Sequence, residues 1–143
     1  MEEKKYAVLI DGDNISSKYL DSILNEMTKY GIATYKRIYC AFTSQQSSKW
    51  RRLVRDSGIQ AMQQFANTVG KNATDSTLII DAMDILYTGN VDGFCIVSSD
   101  GDFTRLAIRL KESGMDVIGM GESKTPRSFR AACTVFTDLE ILY

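Results

Sequence analysis

The sequence predicts a three-layer αβα domain: a parallel sheet covered by helices on both faces. Three observations carry this. Short β-rich runs alternate with helix-period segments along the whole chain, in the order βαβαβαβαβαβ, the pattern of crossovers between parallel strands. The strand runs are apolar without alternation, as in "YAVLI" and "GFCIVSS", which suits strands buried on both sides. The 143 residues, 44% of them apolar, match one domain with a core of its own. A single unit over 1–143 is expected, with no internal repeat or linker.

Tyr6–Ile10 is the first strand. Leu20, Ile23, Leu24 and Met27 then recur at helical spacing, and Gly31 ends that helix. Ile32–Cys40 is the second strand. A polar link, "TSQQSSK", leads into a helix carrying Trp50, Leu53 and Val54 and closed by Gly58. Ile59–Met62 is a short third strand, and "FANTVGKNAT" reads as a loop. Leu78, Ile79, Ala82, Met83, Ile85 and Leu86 form a third helix that stops near Gly89. "GFCIVSS" is the clearest strand of all. Leu106, Ala107 and Leu110 mark the next helix, ended by Gly114, and Asp116–Met120 is the fifth strand. Thr125-Pro126 reads as an N-cap followed by proline at the first helical position, so a short helix follows. Val135–Thr137 is the last strand.

Composition narrows the chemistry. There is no histidine, which excludes histidine triads and histidine metal sites. A general base must then be a carboxylate, a lysine or a metal-bound water. The cysteines, Cys40, Cys95 and Cys133, are odd in number and widely spaced, so neither a zinc knuckle nor a disulfide framework is indicated. Free thiols in a reducing, cytoplasmic setting are expected. The N-terminal apolar run is too short for a signal peptide, and no segment approaches the roughly 20 apolar residues of a membrane helix. A net charge of −1 gives the protein as a whole little attraction for a polyanion, so any nucleic-acid contact must be local.

Ligands of open α/β sheets bind outside the carboxyl ends of the strands. There the first strand ends in Asp11-Gly12-Asp13-Asn14 and the fourth in Ser98-Ser99-Asp100-Gly101-Asp102. The helix between them carries Asp75 at its start, with Asp81 and Asp84 further along. Each cluster alone has a plain reading: Asp11-Gly12 as a turn, Asp100 or Asp102 as a helix cap, Asn14 as a cap of the first helix. Their convergence on one edge points further. Two unit charges about 4 Å apart repel by about 4 kcal/mol at an effective dielectric of about 20, and a hard divalent cation is the usual compensation. Asp75 and Asp81 are six positions apart, which is roughly 120° around a helix axis, so one face does not present both equally. Asp75 is the better placed. Asp81, among apolar neighbours, is either near a metal or matched to a basic residue, with the site-lining role favoured. Asp84 reads as solvated surface.

These residues, in this order, resemble the NYN domain of the PIN-like nuclease superfamily, especially its LabA-like group. The matching pieces are "LIDGDNI", "KNATDSTLIIDAMDIL", "IVSSDGDFTRLAIRLKESGMDVIGMG" and "TPRSFRAACTVFTDL". The resemblance implies a parallel sheet of PIN type and a Mg²⁺- or Mn²⁺-dependent ribonuclease site. By position it carries over Asp11, Asn14, Asp75, Asp100 and Asp102 as the acidic pocket, with Asp81 as a further metal candidate. LabA-like domains often carry an RNA-binding domain after the nuclease domain, so the resemblance leaves open a longer chain.

Such chemistry does not need histidine, because Mg²⁺ prefers oxygen ligands and activates water itself. On this reading Asp11, Asp75 and Asp100 contact the ion, Asp102 holds a bound water or second ion, and Asn14 orients water or a phosphate oxygen. Ser98 and Ser99 either donate to phosphate or cap the turn. A single RNA strand is the expected partner. Basic candidates to hold it are Lys49, Arg51, Arg52 and Arg55 around Trp50, then Lys71, Arg105, Lys124, Arg127 and Arg130. Arg127 and Arg130 rank highest by position, with Lys71 also assigned to substrate, whereas Trp50 is expected to turn into the core. Two other functions compete: an RNA-binding module that cleaves little, and a haloacid-dehalogenase-type phosphatase, whose first strand also ends in D-x-D.

Overall fold

The computed structural model describes the backbone of residues 3–41, 45–63 and 73–143, and the side chains of all of these except 45–48 and 73–75. Six parallel strands form one sheet: β1 (Lys5–Asp11), β2 (Ile32–Cys40), β3 (Gln60–Gln63), β4 (Gly93–Val97), β5 (Asp116–Gly121) and β6 (Val135–Asp138). The helices are α1 (Leu20–Met27), α2 (Gln45–Ser57), α3 (Ala73–Thr88), α4 (Thr104–Glu112), α5 (Arg127–Ala132) and α6 (Leu139–Leu142). Single 3-10 turns, Ser17–Tyr19 and Gly101–Phe103, lead into α1 and α4.

The strand order is β3-β2-β1-β4-β5-β6. The chain builds outward from β1 to one edge, returns through α3, and builds outward again from β4. The order therefore reverses between β1 and β4, where the loops leaving neighbouring strands diverge and open a crevice. Asp11 and Ser98-Ser99-Asp100 stand at that point.

Strand alternation divides the core in two. Tyr6, Val8 and Ile10 of β1 face α1, Trp50 of α2 and Leu139 of α6. Ala7 and Leu9 face α3, α4 and α5, through Leu78, Ala82, Leu106, Leu110 and Phe129. Every residue of β4 is buried, as its unbroken apolar run requires. The predicted architecture is the observed one.

The differences lie at element ends. α2 begins at Gln45 and takes in most of the segment read as a polar link; Gln, Ser and Lys are all compatible with a helix, so polarity alone did not mark a boundary. β3 is shifted one residue, to Gln60–Gln63. The loop read over 65–74 has its last two residues in α3; the rest lies outside the described residues. Thr125 is not the cap of α5: that position is Pro126, and the Thr125 hydroxyl donates to the Glu122 carbonyl at 2.5 Å. α6 and both 3-10 turns are additional to the sequence reading. Among the described residues no helix is long and apolar enough to cross a membrane.

Candidate functional site

Alternation along β1 puts Asp11 on the same face as Leu9, toward α3, and Ser98 follows Ile96 onto that face. Both side chains are fully buried. Gly12 lets the chain leave β1 tight against β2. Its N–H donates to the Tyr39 carbonyl at 2.9 Å, and a Cβ there would lie 2.7 Å from Ile38 Cγ1.

Asp11 is held by a closed set of donors. Asn14 Nδ2 donates to both carboxylate oxygens, at 3.2 and 2.9 Å, and the Ser98 hydroxyl donates to Oδ2 at 2.8 Å. Ser98 Oγ in turn accepts the Asp100 N–H at 3.0 Å. Asp100 Oδ1 accepts the Asp102 N–H at 2.8 Å and so caps the 3-10 turn. A hydrogen-bonded path thus joins the end of β1 to the end of β4. Burial raises the Asp11 carboxyl to about 6; the Asn14 and Ser98 hydrogen bonds oppose this, and the charges of Asp100 and Asp13 add to it. A buried acid whose pKa is raised by desolvation and by neighbouring carboxylates is a functional-site signal.

The network opens on a cleft of about 350 Å³ lined by Asn14, Ser99, Asp100, Gly101, Lys124 and Pro126. Gly101 and Pro126 are its close walls: a Cβ at 101 would lie 3.2 Å from Pro126 Cγ. Ser99 lines it while its Oγ accepts the Glu122 N–H at 2.9 Å. Lys124 is the basic residue of that lining, and its exposed ammonium is 3.7 Å from Glu122.

The structure brings Asp11, Asn14, Ser98 and Asp100 together, with Asp102 exposed on the same turn. Asp75 stands in the first turn of α3, a helix that packs against β1 and the 3-10 turn Gly101–Phe103; its side chain, and all of Lys71, lie outside the described residues. Asp84 is exposed and Trp50 is buried with its indole N–H on the Ile15 carbonyl, both as expected.

Three assignments change. Ser98 is enclosed and its hydroxyl is used within the protein, so it positions Asp11 and does not reach a substrate. Arg130 turns away from the cleft: Nε donates to the Thr125 carbonyl at 3.0 Å, Nη2 to the Ser123 carbonyl at 2.7 Å, and the guanidinium lies over Phe136. It braces the loop that carries Lys124. For Asp81, the basic match is what the structure presents. Oδ2 accepts from Arg37 Nη1 at 3.1 Å and from the Tyr39 hydroxyl at 2.7 Å. Burial and the Asp81 carboxylate push the Tyr39 phenol above its ordinary range. Arg37 and Tyr39, two apart on one face of β2, were missed in the sequence because a period-2 pair of this kind also suits packing. Arg127 is exposed at the start of α5.

The donors at the edge are all oxygens, which suits a hard divalent cation. Mg²⁺ commonly takes one or two carboxylates and keeps several waters, so Asp11 and Asp100 fit in kind and number. Among the described residues no three acidic or sulfur ligands are grouped tightly enough to cage an ion by themselves.

Comparison with known proteins gives the family and the fold. The NYN domain family model matches residues 5–140. The chain is similar to the uncharacterized protein MJ0482 of Methanocaldococcus jannaschii, 29% identical over 125 residues, covering 83% of this chain and 48% of the relative. It thus spans about half the length of that curated relative. A crystal structure of a protein of unknown function, VPA0982 from Vibrio parahaemolyticus, matches with a TM-score of 0.79 and 18% identity over 99% of this chain and 96% of that one; at that identity the likeness is one of fold. With nearly the whole chain matched by one family model, the protein belongs to the NYN domain family, whose members are typically nucleases.

Proposed function

We propose that this domain is a Mg²⁺- or Mn²⁺-dependent ribonuclease acting on single-stranded RNA, of the LabA-like kind that its strand-end motifs resemble. The observation that carries the reading is the link from Asp11 through Ser98 to Asp100 across the switch point, beside a cleft whose lining includes Asp100 and Lys124. In this reading Asp11 and Asp100 hold the ion, with Asp75 as a third carboxylate and Asp102 toward its water shell. Bound there, the ion supplies a Lewis acid for the phosphoryl oxygens and lowers the pKa of the attacking water. Asn14 and Ser98 fix the orientation of the Asp11 carboxylate by hydrogen bonds to both its oxygens. Lys124 and Arg127 meet the phosphates of the strand, while Arg130 holds the loop in place.

The test is cleavage of labelled single-stranded and duplex RNA in Mg²⁺, Mn²⁺ or EDTA. Cutting of the single strand with metal and none in EDTA is expected. Cutting that is indifferent to EDTA overturns the metal-dependent reading.

One observation favours a second reading, an RNA-binding module that cleaves little. Both Asp11 oxygens already accept hydrogen bonds, from Asn14 and Ser98, and a cation must compete with them. A strand retained intact in Mn²⁺ selects this reading. The phosphatase alternative is disfavoured by the match of the NYN domain family model to residues 5–140.

A further inference from the structure

α3 is apolar on both sides. Leu78, Ala82 and Ile85 bury one side of it against the sheet, and a surface helix of this kind normally turns polar residues outward. Here the outward side carries Ile80, 60% exposed, and Tyr87, 70% exposed. They are seven positions apart, within about 20° of each other around the helix axis. α4 lies on the same face of the sheet, and Arg109 Nη2 donates to the Tyr87 hydroxyl at 2.6 Å. Its outward side adds Ile108, 42% exposed. The two helices together present an exposed apolar surface, which marks a protein–protein contact.

Charge selects the partner. On this surface α3 carries an acid, Asp84, and α4 a base, Arg105, both exposed. Among the described residues neither has an ion-pair partner within the chain. Each helix joins parallel strands, so both run from the carboxyl edge of the sheet to its amino edge and are parallel to one another. Asp84 lies three residues before Tyr87, and Arg105 four before Arg109, offsets of about 4.5 and 6 Å. With Tyr87 and Arg109 bonded, Asp84 and Arg105 therefore stand at similar levels. A two-fold axis between the helices and parallel to them keeps those levels and lays α3 of each copy on α4 of the other. Asp84 then faces Arg105 at both ends of the contact, with Ile80, Tyr87 and Ile108 around the pairs. Laying α3 on α3 instead faces Asp84 with Asp84 and Arg105 with Arg105. The surface is thus complementary to a second copy of itself, as an isologous contact requires.

We propose that this protein forms a two-fold symmetric dimer through α3 and α4, with Asp84 of each copy paired to Arg105 of the other. α3 has 16 residues, about 24 Å, and two helices abreast are about 20 Å wide. Each copy therefore covers roughly 500 Å², less than the about 800 Å² per partner of a standard interface, so the dimer is weak and depends on concentration. Because the axis runs along the helices, the carboxyl edges of both sheets, and with them both Asp100 clefts, open on the same side of the dimer.

The test is sedimentation velocity at low salt, over about 1 to about 500 µM protein, a span suited to a small interface. The parent is expected to pass from monomer to dimer across it. Asp84→Arg or Arg105→Asp alone puts like charges across the contact and is expected to weaken the dimer about tenfold or more. The two changes together exchange the charges and are expected to restore it. Both side chains are exposed and unpaired within one copy, so the melting temperature of each variant at low concentration should match the parent and serves as the folding control. A parent that stays monomeric to the highest concentration overturns the dimer. A dimer indifferent to both single changes, or not restored by the pair, overturns this arrangement of it.

Discussion

The buried hydroxyl of Ser98 bridges two strand ends: it donates to Asp11 Oδ2 at 2.8 Å and accepts the Asp100 N–H at 3.0 Å. Ser98→Ala removes both bonds and leaves a buried carboxylate oxygen and an amide short of a partner. An unmade hydrogen bond of this kind costs about 1–3 kcal/mol. Urea denaturation is expected to show that loss, and a Ser98→Ala protein as stable as its parent contradicts the bridge.

Asp11 makes stability depend on pH with a definite sign. Its pKa is raised to about 6 in the folded protein, above the roughly 3.9 of a free aspartate. Between those values the folded state binds more protons than the unfolded state, so stability falls as pH rises. The Asp11 contribution is full below about pH 4 and lost as pH climbs through about 6. Thermal melting of the metal-free protein is expected to show this decline, and Asp11→Asn to flatten it. Because a cation competes with the same proton, stabilisation by Mn²⁺ is expected to be larger at pH 7.5 than at pH 5.

Lys124 and Arg130 separate binding from bracing. Lys124→Ala is expected to flatten the plot of log affinity against log salt by about 0.7, the contribution of one phosphate contact to a single strand. Arg130→Ala removes two hydrogen bonds from a charged donor to the loop and is expected to cost about 1–3 kcal/mol of stability. Its salt slope should stay near that of the parent. The reverse pattern in the two variants refutes both assignments.

Asp81 offers a coupling test. Asp81→Ala strands the half-buried Arg37 guanidinium and the Tyr39 hydroxyl, and a loss of about 1–3 kcal/mol is expected. Adding Arg37→Ala should cost less than the sum of the two single changes. Strict additivity indicates that the pair does not interact.

The fold was legible wherever burial left a long signature. Gly93–Val97 declares itself through five apolar residues in a row, and α4 through Leu106, Ala107 and Leu110 on one face. α6 has four residues, too few to show a helical period, and its Asp138 cap reads equally as a turn. The placement of Asp11 and Asp100 at one edge was legible because parallel neighbouring strands end on the same side of a sheet. What side chains do beyond that edge was not. Arg127 and Arg130 look equivalent in sequence, yet the carbonyls of Ser123 and Thr125 turn one of them inward, and those carbonyls point as they do only because the loop is folded. Asp81 depends in the same way on how α3 sits against β2, which no local pattern encodes.

If the edge joined by Asp11, Ser98 and Asp100 cuts RNA with the help of a divalent cation, the Asp100 charge is indispensable. The most direct measurement follows a labelled single-stranded RNA in Mn²⁺ with the parent protein and Asp100→Asn side by side. Asn at 100 retains an oxygen to accept the Asp102 N–H, so the turn stays capped while the negative charge is lost. Cleavage by the parent alone, abolished by EDTA, is expected, with both proteins melting as folded domains. Equal cleavage by a folded Asp100→Asn protein would contradict it.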